Sequence, residues 1–287
     1  MAHGSFYEAK DYEYDHGAQF FTVRTAEFQE KVDLWLERNL VKKWCNGFQN
    51  KDGHPRFIGS YGMHTVAMFL SKKIKIHQNI EIQNVHFENE EWTLSDNKNN
   101  QFRGKHFICT TPLPQTLALL EGHWSLFDET TLEELKSSTY HKCLSIMIAI
   151  KGKTRLKFPG ALQKPDQNWD FIAENYLKGI SSKPCLTAHA SSKNSEDMWN
   201  LVDDECMEQL IDQLKNILEF DILNSKLKRW TYAQPKNLLK HYFRVAEKQK
   251  NLVICGEIFG GAKVEGAFIS GHRTAEYLVS QKRMESL

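Results

Sequence analysis

The sequence predicts a mixed α/β fold, α+β overall, in which a sheet-and-helix unit is inserted between segments of another domain. Three observations carry this expectation. In the middle of the chain, KCLSIMIAIKGK, WDFIAENY, PCLTAHAS and KLKRWTYAQP have the apolar and β-branched character of strands in one sheet. Among them, DDECMEQLIDQLKNILEF repeats apolar residues at helical spacing, with Met207, Leu210, Ile211, Leu214, Ile217 and Leu218 on one face. Near the end, NLVICGE reads as a buried strand that runs through GGAKVEG into a last helix.

Taken in order, the first helix is expected over Thr25 to Asn39. Thr25 can cap it, and Phe28, Val32, Trp35 and Leu36 share a face. A polar, glycine-bearing loop follows, then a short helix over about Thr65 to Leu70. KIKIHQNIEIQNVHF alternates apolar and polar residues and reads as strand throughout. NEEWTLSDNKNNQFRG gives two strands around an Asn-rich turn. KHFICTTPLPQTLALLEG is a buried strand ending at Thr110, Thr111 and Pro112, followed by a helix. In the closing segment ICGE ends a parallel strand and the helix begins near Gly266. Ala267, Gly271 and Ala275 recur every four residues, a small-residue face suited to close packing against a sheet.

Composition narrows the function. A chain of 287 residues can hold one large or two modest domains. With 41% apolar and 25% charged residues it is globular rather than disordered. Its 37 Lys and Arg nearly cancel 36 Asp and Glu, and no basic run points to nucleic acid or a membrane surface. The longest apolar run, Cys143 to Ile150, is far shorter than the ~20 residues that span a bilayer. No secretory signal opens the chain. The six cysteines are scattered without a CxxC pair, which fits a reducing cytoplasm better than a disulfide framework.

Most motif candidates fail on inspection. KGKT at Lys151 to Thr154 lacks the first glycine of a P-loop, because Met147 stands in its place. The twelve histidines show no HExxH and no metal spacing, so no metal is expected and a lone His such as His189 reads as structural. GEIFGGAKVEGAFISGHRTAEYL is the exception. Its helix N-terminus would direct amides and a positive dipole end at an anionic group. The same pattern also suits a tightly packed strand–helix unit that holds no ligand.

Five stretches then resemble, in order, the renalase-like NAD/FAD-dependent oxidoreductases of the amine-oxidase flavoprotein superfamily. They are YDHGAQFFTVRTAEFQEKVDLWLERNLVKKW, RFIGSYGMHTVAMFL, IEIQNVHFENEEWTL, FICTTPLPQTLALL, and LKRWTYAQP continuing to LVICGEIFGGAKVEGAFISGHRTAEYL. The resemblance covers essentially the whole chain. It implies a discontinuous FAD-binding domain over residues 1–15, 62–125 and 245–287, with a mixed or antiparallel substrate domain over 16–61 and 126–244. It also implies FAD as cofactor, hydride transfer from a small substrate (a reduced nicotinamide isomer of the NAD(P)H type, or an amine), and O2 as acceptor.

Residue by residue, the resemblance places Gly17, Ala18 and Gln19 near the isoalloxazine and the Ile82 backbone at the adenine. Thr111 and Pro112 would flank the dinucleotide, and Gly256 and Glu257 would face the ribitol. Val264, Gly266 and Ala267 would set amides near the pyrophosphate and the flavin O2 atom. Glu257 departs from the Asp usual in the family. Trp230 and Tyr232 are expected along the substrate cavity, where aromatic walls suit a nicotinamide, or as ordinary core aromatics. His16 is a polar contact rather than a base, and no catalytic residue is assigned. Family members begin with a glycine-fingerprint unit of ~40 residues, and Met1-Ala2 matches the end of its last turn. The expectation is therefore a weakened FAD site, with a flavin-free remnant or binding module as the alternative.

Overall fold

The structure, a computed structural model, describes residues 2–7, 11–49 and 52–284. The chain divides into two compact units, Met1–Ile74 with His141–Ala233 and Lys75–Tyr140 with Gln234–Leu287. Both mix helices with small sheets, and the fold is mixed α/β as the sequence predicts. Among the described residues, no helix is long and apolar enough to cross a membrane.

The elements run as follows. The first unit opens with β1 (His3–Ser5), β2 (Glu13–Asp15), α1 (Ala26–Glu37), β3 (Val41–Cys45), β4 (Arg56–Gly59) and α2 (Thr65–Ser71). The second unit begins with β5 (Ile82–Glu88), β6 (Glu91–Asp96), β7 (Gln101–Gly104), β8 (Phe107–Cys109), α3 (Leu113–Leu119), a 3-10 turn (Glu121–Leu126) and α4 (Glu129–Lys136). The first unit resumes with β9 (Tyr140–Lys151), β10 (Ala161–Gln163), β11 (Trp169–Glu174), α5 (Asn175–Lys178), β12 (Cys185–Ala190), α6 (Ser192–Asp197), α7 (Asp203–Lys215) and β13 (Asp221–Pro235). The second closes with β14 (Phe243–Ala246), β15 (Gln249–Cys255), α8 (Glu257–Gly260) and α9 (Val264–Met284).

In the first unit the five-stranded sheet has the order β10-β11-β12-β9-β13. Side chains alternate between its faces, as the pleat requires. Leu144, Ile146 and Ile148 of β9 and Leu186, Ala188 and Ala190 of β12 pack on Cys206, Leu210 and Leu214 of α7. The intervening residues Met147 and Cys185 face the opposite way, against Tyr14. α1 follows its sequence pattern: the Thr25 hydroxyl accepts from the Phe28 amide, and Phe28, Val32 and Trp35 are buried. Leu36 is only half-buried.

In the second unit a three-stranded sheet runs β14-β15-β8. β15 lies parallel to β8, with Leu252 opposite Phe107 and Ile254 opposite Cys109. Its core gathers Trp92, Leu113, Leu120, Leu135, Leu252 and Ile254.

Two expectations are corrected. The strand predicted across residues 73–87 forms only from Ile82, where β6 supplies a hydrogen-bonded partner. Ile74 and Ile76, alternating but unpaired, are 63% and 50% exposed. The last helix starts at Val264, after the short α8, and its small-residue face is not the packed one. Ala267, Gly271 and Ala275 are exposed, whereas Gly266, Ile269, Ser270 and Thr274 are buried. Hydroxyl bonding decides the orientation: Ser270 accepts the Gly256 amide at 2.9 Å and donates to the Tyr242 carbonyl at 2.6 Å.

Candidate functional site

In the second unit the site residues gather where the parallel strands end. Gly256 leaves β15 with φ 149° and ψ −168°, a region open essentially to glycine. A Cβ there would come 3.9 Å from the carbonyl of Thr110, so the ends of β8 and β15 are neighbours. Thr111 and Pro112 follow β8. The Thr111 hydroxyl lies 2.8 Å from that of Thr116, and Pro112 caps α3. Glu257 takes part in a hydrogen bond with Tyr140, whose hydroxyl also accepts the Leu113 amide at 3.2 Å. Burial, then the Glu257 carboxylate, push the Tyr140 phenol up to about 12 against the opposing Leu113 amide. Ile82 opens β5, opposite Asp96.

The turn from α8 to α9 is built on glycine. A Cβ on Gly260 would fall 2.0 Å from the Gly266 carbonyl oxygen, and one on Gly266 would fall 2.2 Å from that of Gly261. Gly266 is therefore required by the turn's own backbone. The amides of Val264 and Gly266 lie in the first turn of α9, where helical geometry provides no intrahelical acceptor. The Ala267 amide, in contrast, donates to the Lys263 carbonyl at 3.0 Å. Strand ends, a tight glycine turn and a helix N-terminus together suit a phosphate-bearing group.

In the first unit the site forms where the segment 14–20 covers the face of the sheet turned away from α7. Asp15 is fully buried. Its Oδ2 receives the Lys178 ammonium at 2.8 Å, and its Oδ1 accepts from the Met63 amide at 2.9 Å and His3 Nδ1 at 3.1 Å. His3 Nε2 reaches Glu13 at 3.3 Å. Gln19 completes the network: its oxygen accepts from Lys178 at 3.2 Å, and its amide donates to the carbonyls of Asp15 (2.7 Å) and Gly17 (3.2 Å). The network holds the Asp15–Gln19 loop, including Gly17 and half-buried Ala18, in one conformation.

The charges follow from this bonding. Burial would lower the His3 imidazole, but Asp15 and Glu13 outweigh it and raise its pKa above the ordinary 6.5. Burial would raise Asp15, but Lys178, His3 and the Met63 amide together lower it. Burial draws Lys178 down, and Asp15 opposes that shift across the ion pair.

Ligand atoms of His3, Asp15 and His64 lie within 4.8 Å of one another, a grouping that residue spacing did not reveal. It is a poor metal site. The rings of His3 and His64 stack at 4.1 Å with planes 23° apart, so their in-plane lone pairs do not converge on one point. Asp15 is already satisfied by three donors.

Farther along the same face, Trp230 donates to the His16 carbonyl at 3.1 Å and stacks on the His16 ring, centroids 5.5 Å apart. Tyr232, two residues on and on the same face of β13, is half-buried. Burial first, then the Lys228 ammonium, hold His16 below its ordinary value. Burial pushes His189, on β12, down to about 4. Elsewhere, a concavity of about 490 Å³ on the β5–β7 sheet is lined by His86, Glu88, Arg103, Lys105 and others, and contains none of these residues.

Comparison with known proteins bears out the fold class and identifies the family. The family described as flavin containing amine oxidoreductase matches residues 6–279, and the chain belongs to it. Among solved structures it is similar to the Exiguobacterium sp. 255-15 protein assigned as a protoporphyrinogen oxidase. That match has 12% identity and a TM-score of 0.59, covering 80% of this chain and 53% of the other. It is also similar to cyclohexylamine oxidase from Brevibacterium oxydans IH-35A (13%, TM-score 0.57, 81% and 56%). A putrescine oxidase redesigned in cofactor binding gives 12%, 0.56, 80% and 54%. At these identities the likeness concerns the fold alone. The chain spans about half the length of the structures it matches.

Proposed function

We propose that the chain acts as an FAD-dependent oxidoreductase of the renalase-like kind, taking hydride from a small substrate, a reduced nicotinamide isomer or an amine, with O2 as the final acceptor. The observation that carries this reading is the turn from β15 through Gly256 into α8 and α9, set beside the end of a parallel strand. FAD, when bound, supplies the two-electron acceptor. The first-turn amides at Val264 and Gly266 are the groups for the pyrophosphate, with Ala267 following in the helix. Gly256 and Glu257 serve the ribitol, and Thr111, Pro112 and the Ile82 backbone the dinucleotide's flanks. The family resemblance assigns Gly17, Ala18 and Gln19 to the isoalloxazine, and Lys178 bonds both Asp15 and Gln19 in that loop. Trp230 and Tyr232 give the substrate an aromatic wall.

Equilibrium dialysis against FAD, followed by a visible spectrum and an oxygen-electrode assay on reduced nicotinamides and amines, tests the proposal. Uptake of one flavin with turnover is the expected result for the flavoenzyme. No uptake would refute it for this chain and favour the second reading, a flavin-free binding module.

A further inference from the structure

The surroundings of α2 (Thr65–Ser71) conflict with its own residues. Val66, Ala67, Met68, Phe69 and Leu70 follow one another, so the helix is apolar on every side, yet Val66 is its only buried residue. A helix apolar all round normally lies inside a protein core or against lipid. Here Met68 is 58% and Leu70 54% exposed, and the apolar stretch extends beyond both ends of the helix to Tyr61, at 75%, and Ile74, at 63%. A single exposed apolar residue is ordinary, as Val202 is beside Asp203 and Asp204, whereas a concentration of them marks a surface that something covers.

The charges of this stretch have one sign. Residues 60–74 include no Asp or Glu, and Lys72 and Lys73, both exposed, follow α2 directly. The Arg38 guanidinium, also exposed, lies 5.4 Å from the centroid of the Phe69 ring. Among the described residues none of these three cations has a carboxylate partner. Composition does not reveal the patch, because 37 basic residues balance 36 acidic ones over the whole chain and only the structure shows which apolar residues are exposed. The covering partner is thus apolar within and anionic at its boundary. A second copy would set the same cations against one another. Side chains more than half exposed protrude rather than line a groove, which suits entry into a soft phase.

We propose that the surface from Tyr61 to Ile74 docks on an anionic lipid bilayer. Tyr61, Met68, Leu70 and Ile74 enter the boundary between headgroups and acyl chains, and Arg38, Lys72 and Lys73 meet the headgroup phosphates. The chain rests on the bilayer without crossing it, in keeping with the lack of a spanning helix among the described residues. The attachment does not depend on flavin.

The test is flotation of the whole chain with vesicles of phosphatidylcholine alone and of equimolar phosphatidylcholine and phosphatidylserine. Three cations at a charged headgroup layer give a roughly hundredfold preference for the anionic vesicles, weakened by added salt. Met68→Ser with Leu70→Ser should weaken binding at least about tenfold. Lys72→Glu with Lys73→Glu should remove the preference, and Val202→Ser should change nothing. The charge-reversal pair keeps the test decisive should the serine pair fold poorly. No flotation with the anionic vesicles, equal flotation with both kinds, or variants that float as the wild type does would each overturn the proposal. A dimer in light scattering that the serine pair disperses, without vesicle binding, would assign the surface to a second copy instead. Capture by poly-glutamate but not by vesicles would assign it to an acidic polypeptide, and either result sinks the lipid reading.

Discussion

Replacing Lys178 by Met removes an ammonium that the fold has enclosed completely. Lys178 and Asp15 are both fully buried, and their charged atoms are 2.8 Å apart. At that separation, with an effective dielectric of about 20, the attraction is on the order of 6 kcal/mol before desolvation is subtracted. Deleting one partner leaves the Asp15 carboxylate dependent on His3 and the Met63 amide. The expected loss of stability is therefore about 3–5 kcal/mol, the range for breaking a buried pair. Urea unfolding followed by Trp fluorescence measures it. The double variant Asp15→Asn, Lys178→Met removes both charges and should recover at least half of the loss, giving a coupling energy of about 2 kcal/mol. A single-variant loss under about 1 kcal/mol, or strictly additive losses, would show that the pair does not hold the loop.

Three further outcomes follow. The folded-state pKa of His189, about 4 against an ordinary 6.5, means that the unfolded chain binds more protons in that window, so stability falls as the pH drops through it. His189→Asn should remove up to ~1.4 kcal/mol per pH unit of that fall, read as a smaller change in urea midpoint between pH 6.5 and 4.5. His3 has the opposite sign: its raised pKa adds stability that is complete below 6.5 and lost as the pH climbs through the raised value. His3→Gln should thus lose less stability than the wild type between pH 6 and pH 9 in the same assay. Gly266→Val sets a Cβ against the Gly261 carbonyl, 2.2 Å away in the present turn, and should destabilise the α8–α9 segment by at least about 2 kcal/mol. Faster amide exchange confined to that segment would confirm it, and unchanged exchange would show that the turn can shift to admit the side chain.

What could be read in the sequence was whatever short-range periodicity expresses. Thr25 and the spacing of Phe28, Val32 and Trp35 specified α1, and the apolar run of NLVICGE specified a buried strand with a turn after it. The Ala267, Gly271 and Ala275 repeat was real but misleading, because hydroxyl bonds from Ser270, which no periodicity scores, orient the helix. The loop network was invisible for another reason. Lys178 meets Asp15 across 163 positions, and Lys178 ends a helix of only four residues, too short to show a pattern. His189 looked like one strand residue among several. What sets it apart is its burial, which pushes its pKa down to about 4 and which a strand pattern alone does not show.

The interleaving of the two units sets a timetable for folding on the ribosome. β8 is synthesised early, but the strand that pairs with it in parallel is β15, with Leu252 opposite Phe107. That is a wait of about 145 residues, or roughly 7–30 s at typical elongation rates. Through that interval the apolar β8 has made no sheet with its eventual neighbour, while β9 to β13 of the other unit emerge and can assemble. The second unit is therefore completed last, and the nascent chain should be most dependent on chaperones between the release of Cys109 and that of Cys255. Pausing synthesis before β15 should raise the yield of misassembled chain, and pausing it after α9 should not.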